Sequence, residues 1–518
     1  MEREKLPIKF FAPRDIDELR IEGNGTSEKP KWVLSGRELK NRAEYLSDSL
    51  NSIETIMEKR KDSPVQFSFI ARIQEDATAK SKRKDIANFF QVKEMSSVIG
   101  LTATNKLIVS FDSLSEFGKI SERLKDCTNN DYAISCITDF EEFLPNVYEA
   151  EESCNYKIKL IDYQNYEQNL VMRRLLEHTL NNKKIEYNKT DYSEKFYVYK
   201  LKNVTNAMLD ELKEADIFNA LFSVEPMPKY VISLDFLEED DDIPIKKPDS
   251  EKNYMTIGIL DNGIETIPHL KPWIDIERWS PYPESSINPT HGTFVAGIAL
   301  YGDECEGKGW VGHKGIKLFD AAVFPDNSKE GLDEDELIAN IKEAVKLYNE
   351  QVKIWNLSIS ITRPVSDNKF SDFAIALDAL QDEYNVLICK SAGNCRNFES
   401  SRPKGRVHEG ADSIRSLVVG SFAHKKGTYD YAEVNDPSPF SRVGPGPEFI
   451  IKPEVSHYGG NAGVDPLGNT VTTGVKSFAK DGTLAQGVGT SFSTPRITAL
   501  AAGIQQELSE DFDPLLLK

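Results

Sequence analysis

Three side chains far apart in this 518-residue chain could together perform nucleophilic chemistry: Asp261, His291 and Ser491. A serine hydroxyl is a weak nucleophile at neutral pH and needs a base to take its proton. Histidine titrates in the working range, and a carboxylate can fix its tautomer and stabilise the imidazolium. Ser491 stands in Gly489-Thr490-Ser491-Phe492-Ser493-Thr494-Pro495, ahead of Ala499, Ala501, Ala502 and Gly503. Those small residues predict a helix that packs deep against other backbone. Ser491 then falls near its N-terminus, where free N–H groups favour developing negative charge. Pro495 is tolerable in a first turn. Asp261 follows the apolar run Met255 to Leu260 and precedes Asn262-Gly263, which reads as a buried parallel strand running into a turn. Ligands in open α/β sheets bind beyond such strand ends. His291 opens His291-Gly292-Thr293-Phe294-Val295-Ala296-Gly297, a small-residue helix to about residue 300. Singly, each has a plainer reading: a serine cap, an aspartate turn, a structural histidine.

Taken in chain order as Asp, His and Ser, these stretches resemble the subtilisin-like serine proteases, the subtilases of peptidase family S8, over roughly residues 250–518. The resemblance implies an α/β fold with a doubly wound, mostly parallel sheet. It implies a serine endopeptidase working through an acyl-enzyme, with Ser491 as nucleophile, His291 as general base then acid, and Asp261 as the orienting carboxylate. It makes Asn394, in Lys390-Ser391-Ala392-Gly393-Asn394, the oxyanion donor. Ser358, Ile359 and Ser360, closing the stretch 352–360, become the strand edge that pairs with substrate beside the primary specificity pocket. No metal or cofactor is required; many subtilases bind structural calcium, but no ligand set is legible here. Thr290 and Ser360 stand where the family usually has glycine, and Arg496 where many members have histidine, which marks a divergent branch. The rival reading is a catalytically silent subtilase-fold scaffold that only binds.

Composition bounds the setting. The hydrophobic content is 39%, the charged content 28% and the formal net charge −20. Such acidity argues against nucleic acid, whose phosphates would be repelled. No apolar run approaches membrane-spanning length. The start, Met1-Glu2-Arg3-Glu4-Lys5-Leu6, has no apolar signal core, so a cytoplasmic location is expected. The six cysteines have no metal-site spacing and form no disulfide framework.

The elements that position the three residues occupy the second half. The first half predicts an irregular start and a charged helix (1–64), opened by the capping box Ser35-Gly36-Arg37-Glu38. Two α+β modules of ferredoxin-like βαββαβ pattern follow, at 65–150 and 151–236. Within the first, 132–143 is expected to hold the last strand. The second lies where subtilase propeptides lie. A solvated acidic linker (237–251) leads to the peptidase domain (252–518), whose last residues read as a truncated terminus. The acidic cluster Asp333, Glu334, Asp335 and Glu336 is expected to be a solvated helix start. The architecture is also similar to bacterial subtilases encoded beside AAA ATPases in phage-defence cassettes, which implies an ATPase partner.

Overall fold

The computed structural model describes residues 30–75, 83–92, 97–103, 105–111, 113–230, 237–239, 243–313, 315–326, 331–359, 363–400, 405–508 and 513–518. The chain divides into two compact units, Met1–Leu144 with Asp162–Met172, and Pro145–Ile161 with Arg173–Lys518.

In the first unit, helix α1 (Gly36–Lys59) buries Leu39, Ala43, Leu46, Leu50, Ile53 and Met57, a stripe at helical spacing. Ser35 precedes it in extended backbone, yet its side chain makes no capping hydrogen bond, so the expected capping box is not formed. Strands β1 (Phe67–Ile73), β2 (Val98–Ala103), β3 (Lys106–Phe111) and β4 (Ile137–Glu142) alternate with helices α2 (Arg83–Phe90) and α3 (Leu114–Lys125). Their sheet runs β2-β3-β1-β4, antiparallel throughout. The stretch 132–143 holds the last strand, β4, and a short helix, α4 (Asp131–Cys136), leads into it. There the Asp131 carboxylate accepts the Tyr132 N–H and the Ser135 hydroxyl bonds back to the Asp131 carbonyl, local bonds that compete with a ladder.

The second unit opens with a five-stranded sheet. Its strands are β5 (Asn146–Val147), β6 (Cys154–Leu160), β7 (Tyr187–Ser193), β8 (Phe196–Val204) and β9 (Leu221–Pro226), ordered β5-β9-β6-β8-β7. Helix α5 (Tyr166–Asn182) connects β6 to β7 in sequence, and α6 (Asn206–Lys213) connects β8 to β9. Two short strands follow. β10 (Lys229–Tyr230) pairs with Leu332–Asp333, and β11 (Leu237–Glu239) pairs with Leu484–Gln486. The expected linker is tethered at its start by this pairing, while Pro244, Ile245, Lys247 and Asp249 to Glu251 stay exposed as a solvated connector should. Beyond β11, the Lys246 N–H donates to the Tyr301 hydroxyl, and the Trp273 indole N–H donates to the Lys246 carbonyl. Residues 240–242 of that stretch lie outside the described residues.

The rest of this unit is built on a seven-stranded sheet. Its strands are β12 (Thr256–Asp261), β13 (Ile274–Trp279), β14 (Lys317–Ala322), β16 (Ile354–Leu357), β17 (Leu387–Ser391), β18 (Leu417–Phe422) and β19 (Val455–Tyr458); β15 (Leu332–Asp333) is the partner of β10. The order is β13-β14-β12-β16-β17-β18-β19, every pair parallel. The order reverses at β12, which makes the carboxyl ends of β12 and β16 the switch point where such sheets bind ligands.

Side chains alternate across these strands, so each face has its own core. Ile257 and Ile259 face the helices α7 (Thr290–Glu306) and α10 (Thr490–Leu508), packing with Phe294, Val295, Phe492 and Ala499. Leu260, Phe319 and Trp355 face α8 (Glu334–Tyr348) and α9 (Asp372–Tyr384), with Leu337, Ile341, Phe373 and Leu377. Gly258 is required by this packing: a Cβ there would stand 2.1 Å from the Trp355 ring. Tyr192, Val198, Met227 and Tyr230, from the segment before β11, complete the second core.

That core carries a further correction. Asp333, Glu334 and Asp335 are 7%, 1% and 3% exposed, so of the acidic helix start only Glu336 is solvated. Lys157 of β6 meets Glu334 at 2.9 Å and Asp372 at 2.8 Å; Lys159 meets Asp372 at 2.9 Å. Lys200 of β8 meets Asp333 at 2.7 Å and Asp335 at 3.4 Å. Acidic side chains at the N-termini of α8 and α9 suit the helix dipoles, and lysines two apart on one strand face reach both.

Candidate active site

β12 ends at Asp261, and the chain turns at once through Asn262 and Gly263. The Asn262 N–H donates to Asp261 Oδ1 at 2.9 Å, and the Asn262 side-chain oxygen accepts the Gly292 N–H at 2.9 Å. This ties the β12 turn to the first turn of α7. Gly292 is obligatory there, since a Cβ would lie 2.2 Å from the Gly263 carbonyl oxygen. The neighbouring His291 is delivered to the carboxylate: its Nδ1 lies 2.8 Å and 2.9 Å from the two Asp261 oxygens. Asp261 is fully buried and His291 is 3% exposed.

Ser491 is the second residue of α10. It is anchored to the end of β16 in both directions. The Ser491 hydroxyl donates to the Ser358 carbonyl and the Ser358 hydroxyl donates to the Ser491 carbonyl, each at 2.9 Å. Asn356 supports this by donating to the Ser358 hydroxyl, and Thr498 bonds Asn356 in turn. The His291 ring lies 5.7 Å from the ring of Phe492, the residue after Ser491. Among the described residues no hydrogen bond joins Ser491 to His291.

Asn394 follows β17 and is exposed. Its side-chain oxygen Oδ1 accepts the Thr490 N–H at 2.9 Å and the Thr490 hydroxyl at 3.0 Å. That orientation leaves its NH2 donors uncommitted on the side of Gly489, whose added Cβ would stand 3.1 Å from Nδ2. Asn394, Ser491, His291 and Asp261 thus gather at the carboxyl ends of β12, β16 and β17. Ser358 and Ile359 are buried beside them, and Ser360 lies outside the described residues.

Two neighbours escaped the reading of the sequence. Asp320 of β14 is a second buried aspartate behind Asp261; burial pushes its carboxyl up to about 6, against the Arg278 guanidinium that it accepts at 2.6 Å. Lys390, inside the apolar run of β17, is fully buried and donates to the carbonyls of Ile359 and Ser391. Burial pushes its ammonium down to about 7, with Asp412 opposing. A charged residue in an otherwise apolar strand was the available signal for Lys390.

No group of three or more His, Cys, Asp or Glu among the described residues could hold a metal ion. No described helix is long and apolar enough to cross a membrane.

The profile of the Subtilase family matches residues 252–515, a little over half of the chain, and the chain belongs to that family of serine peptidases. An uncharacterized protein, y4bN of Sinorhizobium fredii (strain NBRC 101917 / NGR234), is 29% identical over 197 residues, 31% of this chain and 46% of that protein. The match therefore spans under half of that relative's length. Among solved structures, a mutant of the protease domain of PatA is 20% identical, covering 51% of this chain and 84% of that one, with a TM-score of 0.35. The epidermin leader peptide processing serine protease EpiP of Staphylococcus aureus is 15% identical, covering 71% and 91%, with a TM-score of 0.43. Fervidolysin from Fervidobacterium pennivorans, a keratinolytic enzyme related to subtilisin, is 16% identical, covering 72% and 58%, with a TM-score of 0.42.

Proposed function

We propose that the chain is a serine endopeptidase that cuts protein or peptide substrates through Asp261, His291 and Ser491. The observation that carries this reading is the buried Asp261–His291 pair beside the first turn of α10. The carboxylate holds Nδ1 as the N–H tautomer, which leaves Nε2 to take the serine proton. Ser491 Oγ then attacks the peptide carbonyl carbon while its proton passes to His291. The carbonyl oxygen becomes an oxyanion, stabilised by the Asn394 amide and the Ser491 backbone N–H. Collapse breaks the C–N bond, and His291 returns the proton to the departing amine. Water, activated by the same imidazole, releases the acyl group.

The hydroxyl rests on the Ser358 carbonyl. In this reading Ser358, Ile359 and Ser360 form the edge to which substrate adds as a strand. A substrate N–H that takes the Ser358 carbonyl displaces the hydroxyl, which a rotation about χ1 turns toward His291.

Residues 151–236 act as a docked regulatory module in the manner of a propeptide. The support is the buried lysine–carboxylate contacts with α8 and α9 and the pairing of β10 with β15. A cytoplasmic role beside an AAA ATPase in phage defence rests on the resemblance in N-terminal organisation alone. Cleavage of a peptide library by wild type but not by Ser491→Ala tests the peptidase reading. Equal cleavage by both proteins contradicts it.

A further inference from the structure

A cluster of nitrogen-bearing side chains lies behind the proposed oxyanion donor, and among the described residues no carboxylate forms an ion pair with it. His408 is 5% exposed, and neither ring nitrogen has a hydrogen-bond partner. Its backbone N–H donates to the Ala392 carbonyl at 3.2 Å, two residues before Asn394. Its ring lies against Gly393, where an added Cβ would stand 2.4 Å from Nδ1. Gly393 also has a φ of +98°, so glycine is doubly required there.

Arg442 approaches from the same side. Its Nε donates to the Asn394 carbonyl at 2.9 Å and one Nη to the Arg406 carbonyl at 2.7 Å. Its guanidinium is half-buried, and among the described residues it forms no ion pair with a carboxylate. Lys390, below, is likewise bonded to carbonyls. The nearby acids are engaged elsewhere: Asp412 accepts from Ser371 and Gly410, and Glu409 faces Arg363 at 3.6 Å. Burial first, then Arg442 and Lys390, hold the His408 imidazole down at about 3. The ring is therefore neutral, with one idle N–H and one idle lone pair in a positive field. In a chain of net charge −20, such a cluster is complementary to an anion.

The position says which anion. A carbonyl under attack by Ser491 points at the Asn394 amide. That carbonyl carbon is bonded to the Cα that carries the side chain, so a side chain turned toward Gly393, the residue before Asn394, meets the His408 ring. We infer that His408 and Arg442 select substrates carrying Asp or Glu immediately before the cut bond, the imidazole N–H and the guanidinium binding that carboxylate. Charge-assisted bonds of this kind are strong, and a site built around them rejects side chains that leave its donors unpaired.

The inference rests on the peptidase reading, and the test separates the two. Peptidyl diphenyl phosphonates identical except for a terminal Glu, Gln, Leu or Lys analogue are applied to the full chain, and Ser491 labelling rates are followed by mass spectrometry. The Glu reagent is expected to label roughly 100-fold faster than the Leu reagent. That ratio should collapse toward unity in His408→Ala. Arg442→Gln, which should reduce it by roughly tenfold, serves as the second variant if His408→Ala does not fold. Faster or equal labelling of wild type by the Leu or Lys reagent overturns the inference and leaves the peptidase reading standing. Labelling by a small fluorophosphonate alone does the same. A folded chain that takes up neither class of reagent overturns both.

Discussion

At the scale of single residues, the site is a set of side chains each fixed by one bond and left with another free. Asp261 is held by the Asn262 N–H, His291 by Asp261, and the Asn394 oxygen by Thr490. What remains free is an imidazole nitrogen and an amide NH2. Removing the amide in Asn394→Ala should lower kcat by about 10²–10³, the value of one oxyanion donor, with a smaller change in KM. Asp261→Asn should keep the fold and lower kcat by about 10⁴, because the amide cannot enforce the tautomer. Steady-state kinetics on a cleaved peptide checks both; a loss under tenfold in either would remove that residue from its assigned role. Asn394 and Asp261 were legible because their motifs fix residue type and order together. His408 was not, because its meaning comes from a three-dimensional neighbourhood, and a lone histidine in a loop carries no spacing signal; Lys390 offered only its charge in an apolar strand.

At the scale of elements, the informative contact is between β6 and the N-termini of α8 and α9. Burial alone would pull the Lys157 ammonium down, but Glu334, Asp372 and Glu225 hold it well above its ordinary value. Burial alone would push Asp372 up, but Lys157, Lys159 and Lys369 hold it well below. Removing one member strands the others. Lys157→Ala should destabilise this unit by about 3–5 kcal/mol in chemical denaturation. Lys157→Met combined with Glu334→Gln should recover part of that loss; no recovery would show that the two charges do not act as a pair. The pH dependence follows from the signs. The depressed Asp372 contributes stability that is present above its unfolded value of about 3.9 and is lost as pH falls through its folded value. Denaturation midpoints should therefore drop in acid, and the drop should be smaller in Asp372→Asn. Element identity here was largely legible from periodicity: α1, β1, β6, β12 and the helix after Gly489 stand where hydrophobic spacing puts them. The burial of the acidic cluster was not, because a run of Asp and Glu at a helix start reads as solvated unless the covering lysines, Lys157 and Lys200, far earlier in the chain, are known to arrive there.

At the scale of the whole chain, the segment 145–161 with 173–230 shares one compact unit with the seven-stranded sheet. Its tail is paired to that unit on both sides of residues 231–236, by β10 and by β11. A chain nicked by limited proteolysis between Tyr230 and Leu237 should therefore keep both fragments together at moderate ionic strength. Size-exclusion chromatography with mass spectrometry checks this; separate elution of the fragments would contradict the docked reading. The family and the doubly wound sheet were readable because the three motifs resemble one family, and the resemblance implied its fold. The edge strand β13 and the hairpins β20 (Asn461–Val464), β21 (Thr470–Thr473), β22 (Val475–Phe478) and β23 (Leu484–Gly487) were not, being short and polar on one side. The central claim is that Ser491 is an activated nucleophile. The most direct measurement is labelling of the folded full chain by a fluorophosphonate probe, beside Ser491→Ala and His291→Ala. The account predicts a single adduct on Ser491, absent from the first variant and strongly slowed in the second. An adduct rate unchanged by His291→Ala, or no adduct on a chain shown to be folded, would contradict it.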